Sequence, residues 1–477
     1  METNPNNVAE YDLPLILDVD GTLLRTDLLY ETFWAALGRD FGKTLLRTAI
    51  TWKRPERLKL ALSEIAKPRI DQLPVREAVH KLVLKAKESG RAVHLVSGSN
   101  QQLIDELGKR LDLPGPHFGS DSDRNLTGSV KADFLEDQFG PERYDYAGNS
   151  HADLKSWTRA RKVIVVDPDA ALAREIQALG KPATLIAENW GLPDVFREIR
   201  PHQWVKNLLL FVPLIASHSF AIGSFFAVCL AAIAFSFGAS SIYILNDLLD
   251  LEADRSHPEK RLRPIASGDL PIAAAMKFSA LLGLLAIFLA LLVSPQLALL
   301  ALGYMAGSLS YSLWFKKFRW LDLMALTGLF LLRILAGAVA AETGVTAFLI
   351  VLGFFVFFTL ACVKRLTALS RMPLREHLPG RGYSDRDRRP LMRAAYTGAW
   401  LSGGIFLAHF WVWNEAAQYS KPLFASLAVL PLVLWLLRMV RLSIAGREDY
   451  DPVRFAMRDP VGLALAALGV MLIVLAA

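Results

Sequence analysis

The sequence predicts a two-part molecule: an α/β domain built on a parallel sheet, then an all-α integral membrane domain of about nine transmembrane helices. Three observations predict it. Residues 1–200 are charged and alternate strand-like with helix-like segments, whereas 204–477 are mostly apolar runs long enough to cross a bilayer. Lys and Arg between those runs fall almost entirely in alternate connections. The composition shift puts the boundary near 190–203, giving domains of 1–195 and 196–477.

Strand signals come first. LPLILDVDGT is an apolar strand ending in Asp18-Val19-Asp20-Gly21-Thr22, and RAVHLVSGSN is another, ending at Ser97. Lys131 lies in LTGSVKADFL. YDYAGNSHAD is a third strand ending in Gly148-Asn149-Ser150, with Asp153 following, and KVIVVDPD reads as a fourth. Helical patterns such as REAVHKLVLKAKESG separate them. In such sheets ligands bind at the carboxyl ends of the strands, where these polar residues lie. The set suits phosphate removal. One carboxylate attacks phosphorus, and a second handles the leaving-group proton and then activates water. A hydroxyl and an ammonium hold phosphoryl oxygens, and magnesium bridges phosphate and carboxylates.

Those motifs, in that order, resemble the haloacid-dehalogenase phosphatase superfamily over residues 12–190. The resemblance implies a Rossmann-like phosphatase domain with a small helical cap at about 27–75. It makes Asp18 the nucleophile and Asp20 the acid/base, gives phosphate to Ser97 and Lys131, and gives magnesium to Asp18, Asp20, Asn149 and Asp153. One position departs: Asn149 stands where the family usually has an acid, so one negative charge is lost. The cap segment KTLLRTAITWKRPERLKLAL mixes Leu, Ile and Trp with six Lys/Arg. It reads either as a helix lying on an anionic membrane surface or as a solvated cap helix with an ordinary packed face.

The expected spans are roughly 205–220, 223–245, 272–293, 296–315, 321–341, 346–363, 393–413, 421–437 and 460–477. The connections near 249–270, 316–319, 362–393 and 436–460 carry 4, 3, 9 and 5 Lys/Arg, against 0, 0, 0 and 1 in the alternate ones. By the positive-inside rule the basic loops, and the soluble half with them, face the cytoplasm of a multi-pass inner (plasma) membrane protein. The first twelve residues have neither a basic region nor an apolar core, so no signal peptide is expected. The net charge of +7 is thereby a topology signal, and no nucleic-acid partner is expected. Two cysteines, Cys229 and Cys362, offer neither a disulfide framework nor a zinc site.

The segment NDLLDLEADRSHPEKRLRP follows the second span. Continued as one helix, it would place Asn246, Asp247, Asp250 and Asp254 within about a quarter of the circumference. Carboxylates with an amide oxygen suit magnesium, which also takes phosphate oxygens from a substrate. Lys260, Arg261 and Arg263 follow at once, and Arg200, Gln203 and Asn207 share a face at the first span with Lys206 beside them. Tyr311, Lys316, Lys317 and Asp322 mark the end of the fourth span and the start of the fifth, which contains Arg333. Intramembrane charge reads as functional by default.

The spans and the NDxxDxxxD motif resemble the UbiA-type prenyltransferase superfamily over 200–477. Its second acidic motif, DxxxD, is reduced here to Asp322 alone. RPHQWVKNLLLFVPL, NDLLDLEADRSHPEKRLRPIASG, YSLWFKK and DPVRFAMRDP look most like its decaprenyl-phosphate phosphoribosyltransferase branch. That resemblance implies transfer of 5-phosphoribosyl from phosphoribosyl pyrophosphate to a polyprenyl phosphate in the membrane. Asp247 and Asp250 would be catalytic and would hold Mg2+ with Asp254 and Asn246. Lys206, Asn207, Lys260, Arg263, Tyr311, Lys316 and Arg333 would bind substrate. The soluble half would then remove the 5-phosphate, leaving a polyprenyl-phosphoryl-ribose for cell-envelope glycans. Competing readings are an aromatic prenyltransferase using a prenyl diphosphate, a soluble half that only regulates, and a transporter. The oligomeric state is open, a homo-oligomer included.

Overall fold

The structure is a computed structural model and describes residues 13–121, 124–188, 190–217, 221–372, 377–378, 380–412, 420–446, 452–456 and 458–476. The chain forms two compact units. One takes Met1–Ile199 with Ile244–Phe278, the other Arg200–Tyr243 with Ser279–Ala477.

In the first unit, β1 (Leu15–Leu17), β2 (Val93–Asn100), β3 (Phe118–Ser120), β4 (Asp145–Gly148), β5 (Lys162–Val166) and β6 (Ala183–Ile186) form one six-stranded sheet in the order β3-β2-β1-β4-β5-β6. Every pairing is parallel. Two strands, β3 and β6, go beyond the four read from sequence; β3 has three residues and β6 is half exposed, so neither carries a strong apolar signal. Alternation sorts the side chains. Leu15 and Leu17 pack with Val79, Val83 and Leu95 on one face, while Ile16 joins Tyr146, Trp157 and Val163 on the other. Strand β1 lies between β2 and β4, where the strand order reverses, so the residues just after it stand at the switch-point crevice.

Three helices make the cap: α1 (Leu28–Arg39), α2 (Phe41–Thr51) and α3 (Pro55–Ser63). Asp27 starts α1 by accepting from Leu29 N and Tyr30 N, and Asp40 starts α2 by accepting from Lys43 N.

The expected boundary near residue 195 needs one correction. Ile244–Phe278 belongs to the unit of the soluble half. Charge pairing is the reason. Arg255 meets buried Glu31 through two hydrogen bonds of 2.9 and 2.7 Å, and Arg25 meets Asp269 at 2.9 Å. Glu252 accepts from Arg69 N, and Gln72 donates to Ser256.

The second unit is helical. Helices α4 (Ile222–Leu249, shared in sequence with the first unit), α5 (Ile272–Val293), α6 (Pro295–Leu313), α7 (Leu321–Ala341), α8 (Ala347–Ser370), α9 (Arg388–Val412), α10 (Val429–Ile444) and α11 (Pro460–Ala476) cover eight of the nine expected spans. Among the described residues five helical stretches are long and apolar enough to cross a membrane: α4, α5, α7, α8 and Pro422–Ile444. The first expected span is not one helix: Pro201–Phe211 winds as 3₁₀ turns, followed by the short helix Val212–Ala216. Leu284, Phe288 and Leu291 share one face of α5 and are all more than half exposed, an arrangement stable only against lipid. The molecule is an integral membrane protein.

Gly337 on α7 has a packing role. A Cβ there would lie 2.0 Å from the carbonyl oxygen of Leu210. Backbone cannot yield as a flexible side chain does, so Gly337→Ala should cost roughly 1–3 kcal/mol, read as a lowered midpoint in thermal unfolding in detergent.

Candidate functional site

The strand-end residues of the first unit converge on a cavity of about 310 Å3 lined by Asp18, Asp20, Asp27, Lys59, Ser99, Lys131, Asn149 and Asp153, among others. Lys131 Nζ lies 2.7 Å from Asp18 Oδ1 and 3.3 Å from Asp153 Oδ1, and donates at 3.0 Å to Tyr146 Oη. Thr22 donates to the other Asp18 oxygen at 3.2 Å. Burial pushes the Asp18 carboxyl up to about 7, against the pull of Lys131. Burial likewise pushes Asp27 up to about 7, with the charge of Asp20 adding to it.

Asp20 is held from three sides. Ser97 Oγ and Ser99 Oγ each donate to Oδ2 at 2.8 Å, and Leu28 N donates to Oδ1 at 2.7 Å. Ser97, expected on phosphate, is fully buried and spends its proton on Asp20; the serines that line the cavity are Ser99 and Ser150. The metal role expected of Asp153 also meets a different arrangement. Its Oδ1 accepts from Tyr146 and Lys131, and its Oδ2 from Asn149 N, Ser150 N and Ser150 Oγ. Five donors saturate that carboxylate, which makes it a positioning group for Lys131 and for the turn after β4. Asn149 is pressed against Gly21, where an added Cβ would come within 2.2 Å of its amide, and Gly21 has φ +73°. Asp27 and Lys59, which donates to Gly98 O, had no sequence signal, since neither sits in a strand-end motif.

The acidic segment of the same unit is not one continuous helix. α4 ends at Leu249, Asp250 breaks it at φ −100°, ψ 14°, and Leu251–Arg255 is a separate short turn of helix. Asp247 and Asp254 nevertheless converge, because Arg263 returns between them, at 3.0 Å from Asp247 and 2.5 Å from Asp254. Lys260 lies 3.7 Å from Asp254 Oδ1. Burial pushes the Asp254 carboxyl up, against the pull of Arg263. Asp250 lines a cavity of about 350 Å3 with Glu31, Trp34, Arg39, Lys67 and Glu252.

Among the described residues no three His, Cys, Asp or Glu side chains gather as a metal cluster. Cations stand between the acids instead: Arg263 between Asp247 and Asp254, Lys131 between Asp18 and Asp153. The donor chemistry still fits a hard cation. Asn246 Oδ1 and Asp254 Oδ1 are buried oxygens with no hydrogen-bond partner, in the segment that also carries Asp247.

In the second unit, Arg333 is buried within α7. It donates to Asn207 Oδ1 at 2.9 Å, Leu329 O at 2.7 Å and Tyr304 Oη at 2.8 Å. Asn207 donates in turn to Ser236 at 2.9 Å. Tyr311 donates to Asp322 and accepts from Arg365 and Arg381. Asp322 itself is fully buried and clamped by Arg365 at 2.5 and 2.7 Å. Lys206 donates to Gln203 at 2.7 Å, and Lys316 is half buried on the turn Phe315–Lys317.

Membrane-length helices joined in sequence by an acid- and cation-rich segment make this an integral membrane protein with a candidate cation- and phosphate-binding segment. The chain belongs to the UbiA prenyltransferase family, whose profile matches residues 208–458. It is 33% identical over 467 residues to an uncharacterized protein, y4nM, of Sinorhizobium fredii, covering 96% of this chain and 89% of that one. It is 32% identical over 297 residues to the decaprenyl-phosphate phosphoribosyltransferase of Mycobacterium tuberculosis, covering 60% of this chain and 93% of that one. The nodulation protein NoeC of Azorhizobium caulinodans is 33% identical over 282 residues, covering 57% and 91%.

Proposed function

We propose that this chain transfers 5-phosphoribosyl from phosphoribosyl pyrophosphate to a polyprenyl phosphate, releasing pyrophosphate. The observation that carries the reading is the likeness to the mycobacterial decaprenyl-phosphate phosphoribosyltransferase across 93% of that enzyme. The acid- and cation-rich chemistry of 246–263 supports it. The lipid phosphate is already an anionic nucleophile, so attack on the anomeric carbon needs no strong base. Asn246, Asp247, Asp250 and Asp254 would hold Mg2+, which when bound neutralises charge on the leaving pyrophosphate. Arg263 and Lys260, beside these carboxylates, would neutralise phosphate charge, and the same role is assigned to Lys206 and Lys316. Asn207, Tyr311 and Arg333 are assigned to substrate; the hydrogen bonds they make in the free protein mean that they would act by holding shape and field. Transfer takes place at the cytoplasmic face of the inner membrane.

The soluble half is assigned a phosphatase step on the ribosyl 5-phosphate, in the manner of haloacid-dehalogenase phosphatases. Asp18 attacks phosphorus to form an aspartyl phosphate while Lys131 holds a phosphoryl oxygen and Asp20 protonates the departing ribose alkoxide. Asp20 then takes a proton from water, which attacks phosphorus and releases inorganic phosphate and free Asp18. Asp18, Asp20 and Asn149 would hold the Mg2+ of that site. The support is the cavity that gathers Asp18, Asp20, Ser99 and Lys131 at the sheet's switch point.

One assay tests both steps: purified protein, magnesium, polyprenyl phosphate and ribose-labelled phosphoribosyl pyrophosphate, with lipid products resolved by mass. Labelled lipid is the expected result; transfer from a prenyl diphosphate to an aromatic acceptor instead would sink the reading. Asp18→Asn should leave transfer intact and make the product heavier by one phosphate. An unchanged product mass would remove the phosphatase from the scheme.

A further inference from the structure

Helix α2 is packed inside out. On a helical projection Leu45, Leu46, Ala49 and Ile50 cover an arc of about 140°, and Thr44, Thr48 and Thr51 occupy the opposite side. A helix on a water-soluble domain turns its leucines inward, as α1 does with Leu28, Trp34 and Leu37. On α2 the sense is reversed. Thr44 is fully buried, and Thr48 Oγ1 is buried with no hydrogen-bond partner. Leu45 is 45% exposed, Leu46 62%, Ile50 70% and the following Trp52 65%. Four large apolar side chains within eight residues thus lie bare while threonines take the inner face. No packing demand of the cap explains this, because the cap's own cluster is complete with Ala36, Leu62, Ile65 and Ala66.

The rim of the bare face names its occupant. Lys43 and Arg47 border the apolar arc on α2, and Lys53, Arg54 and Arg57 follow it, against the single acid Glu56. Lys53 Nζ sits 5.5 Å from the Trp52 ring centroid, so cation and indole are presented together. Apolar side chains backed by a cationic fringe and a Trp are the pattern of a helix lying in a bilayer interface with acidic headgroups. The described residues of the same polypeptide include five membrane-length helical stretches, so a bilayer is at hand.

We propose that α2 is a membrane-docking helix: Leu45, Leu46, Ile50 and Trp52 enter the interface of an anionic lipid bilayer, and Lys43, Arg47, Lys53 and Arg54 engage acidic headgroups. This adds a lipid-composition-dependent attachment of the soluble half. It is independent of the catalytic assignments above.

The test is hydrogen–deuterium exchange over residues 41–54 of the full chain. It is run in detergent, in phosphatidylcholine nanodiscs, and in nanodiscs with roughly one third phosphatidylglycerol. Exchange should be slowed roughly tenfold or more in the anionic discs relative to detergent. Leu46→Glu with Ile50→Glu should abolish that slowing at an unchanged unfolding midpoint. Lys53→Glu with Arg54→Glu should erase the difference between anionic and neutral discs while α2 stays folded. Equal exchange in all three media overturns the proposal. So does protection that appears in detergent and rises with protein concentration, since that identifies a second protein copy as the occupant.

Discussion

Asp254→Asn, and separately Asp247→Asn, should lower ribosyl transfer by roughly a hundred- to a thousandfold, the loss expected when one electrostatic group aimed at a developing charge is removed. Both substitutions keep shape and delete charge. Asp247 and Asp254 both meet the Arg263 guanidinium, at 3.0 and 2.5 Å. On the proposed assignment, removing either charge weakens the segment's hold on a cation and leaves Arg263 with the remaining acid. The measurement is labelled lipid formed per unit time across a magnesium titration up to saturation, with the unfolding midpoint recorded alongside. A drop confined to magnesium affinity, rescued at high metal, assigns the residue to holding the cation. A loss of the midpoint together with activity would mean that the contact serves the fold and would count against the assignment.

The second large effect concerns stability. Asp322 and Arg365 form a doubly hydrogen-bonded pair, 0% and 2% exposed at the side chain, with Tyr311 and Arg381 closing around it. Breaking a buried pair leaves the other charge without compensation, at a cost of about 3–5 kcal/mol. Asp322→Asn and Arg365→Met should each show that loss in detergent unfolding. The double variant should recover a good part of it, because no fully buried charge remains; Arg381, the other cation on Asp322, is 26% exposed and stays hydrated. If the double variant is as unstable as the two losses added, the pair is not the interacting unit described here. The expectation that Asp322 is a remnant of a second acidic metal motif changes accordingly: its carboxylate is committed to two arginines.

Much of the fold was legible in the chain. The apolar strands leading to Asp18 and Asn149 are where the sequence placed them, and the one through Ser97 is there but runs on to Asn100, because β-alternation and apolar runs are local signals. The short strands β3 and β6 were not legible, since three or four residues carry too little pattern. The membrane helices follow their apolar runs closely, apart from the first, where Pro201–Phe211 tightens into 3₁₀ turns. The acidic segment was half legible. Its charge was visible in the chain, but projection on one helix missed the break at Asp250 and the return of Arg263.

The sequence by itself determined an α/β part followed by an apolar helical part and the residue types at each candidate site, because hydropathy, periodicity and motif spacing act over a few residues. Only tertiary structure decided the partners: Arg255 with Glu31, 224 residues apart; Ser97 spent on Asp20; Asp153 saturated by five donors; and the bare apolar face of α2. Which donor meets which acceptor depends on how distant segments are brought together in folding, and no local pattern records that.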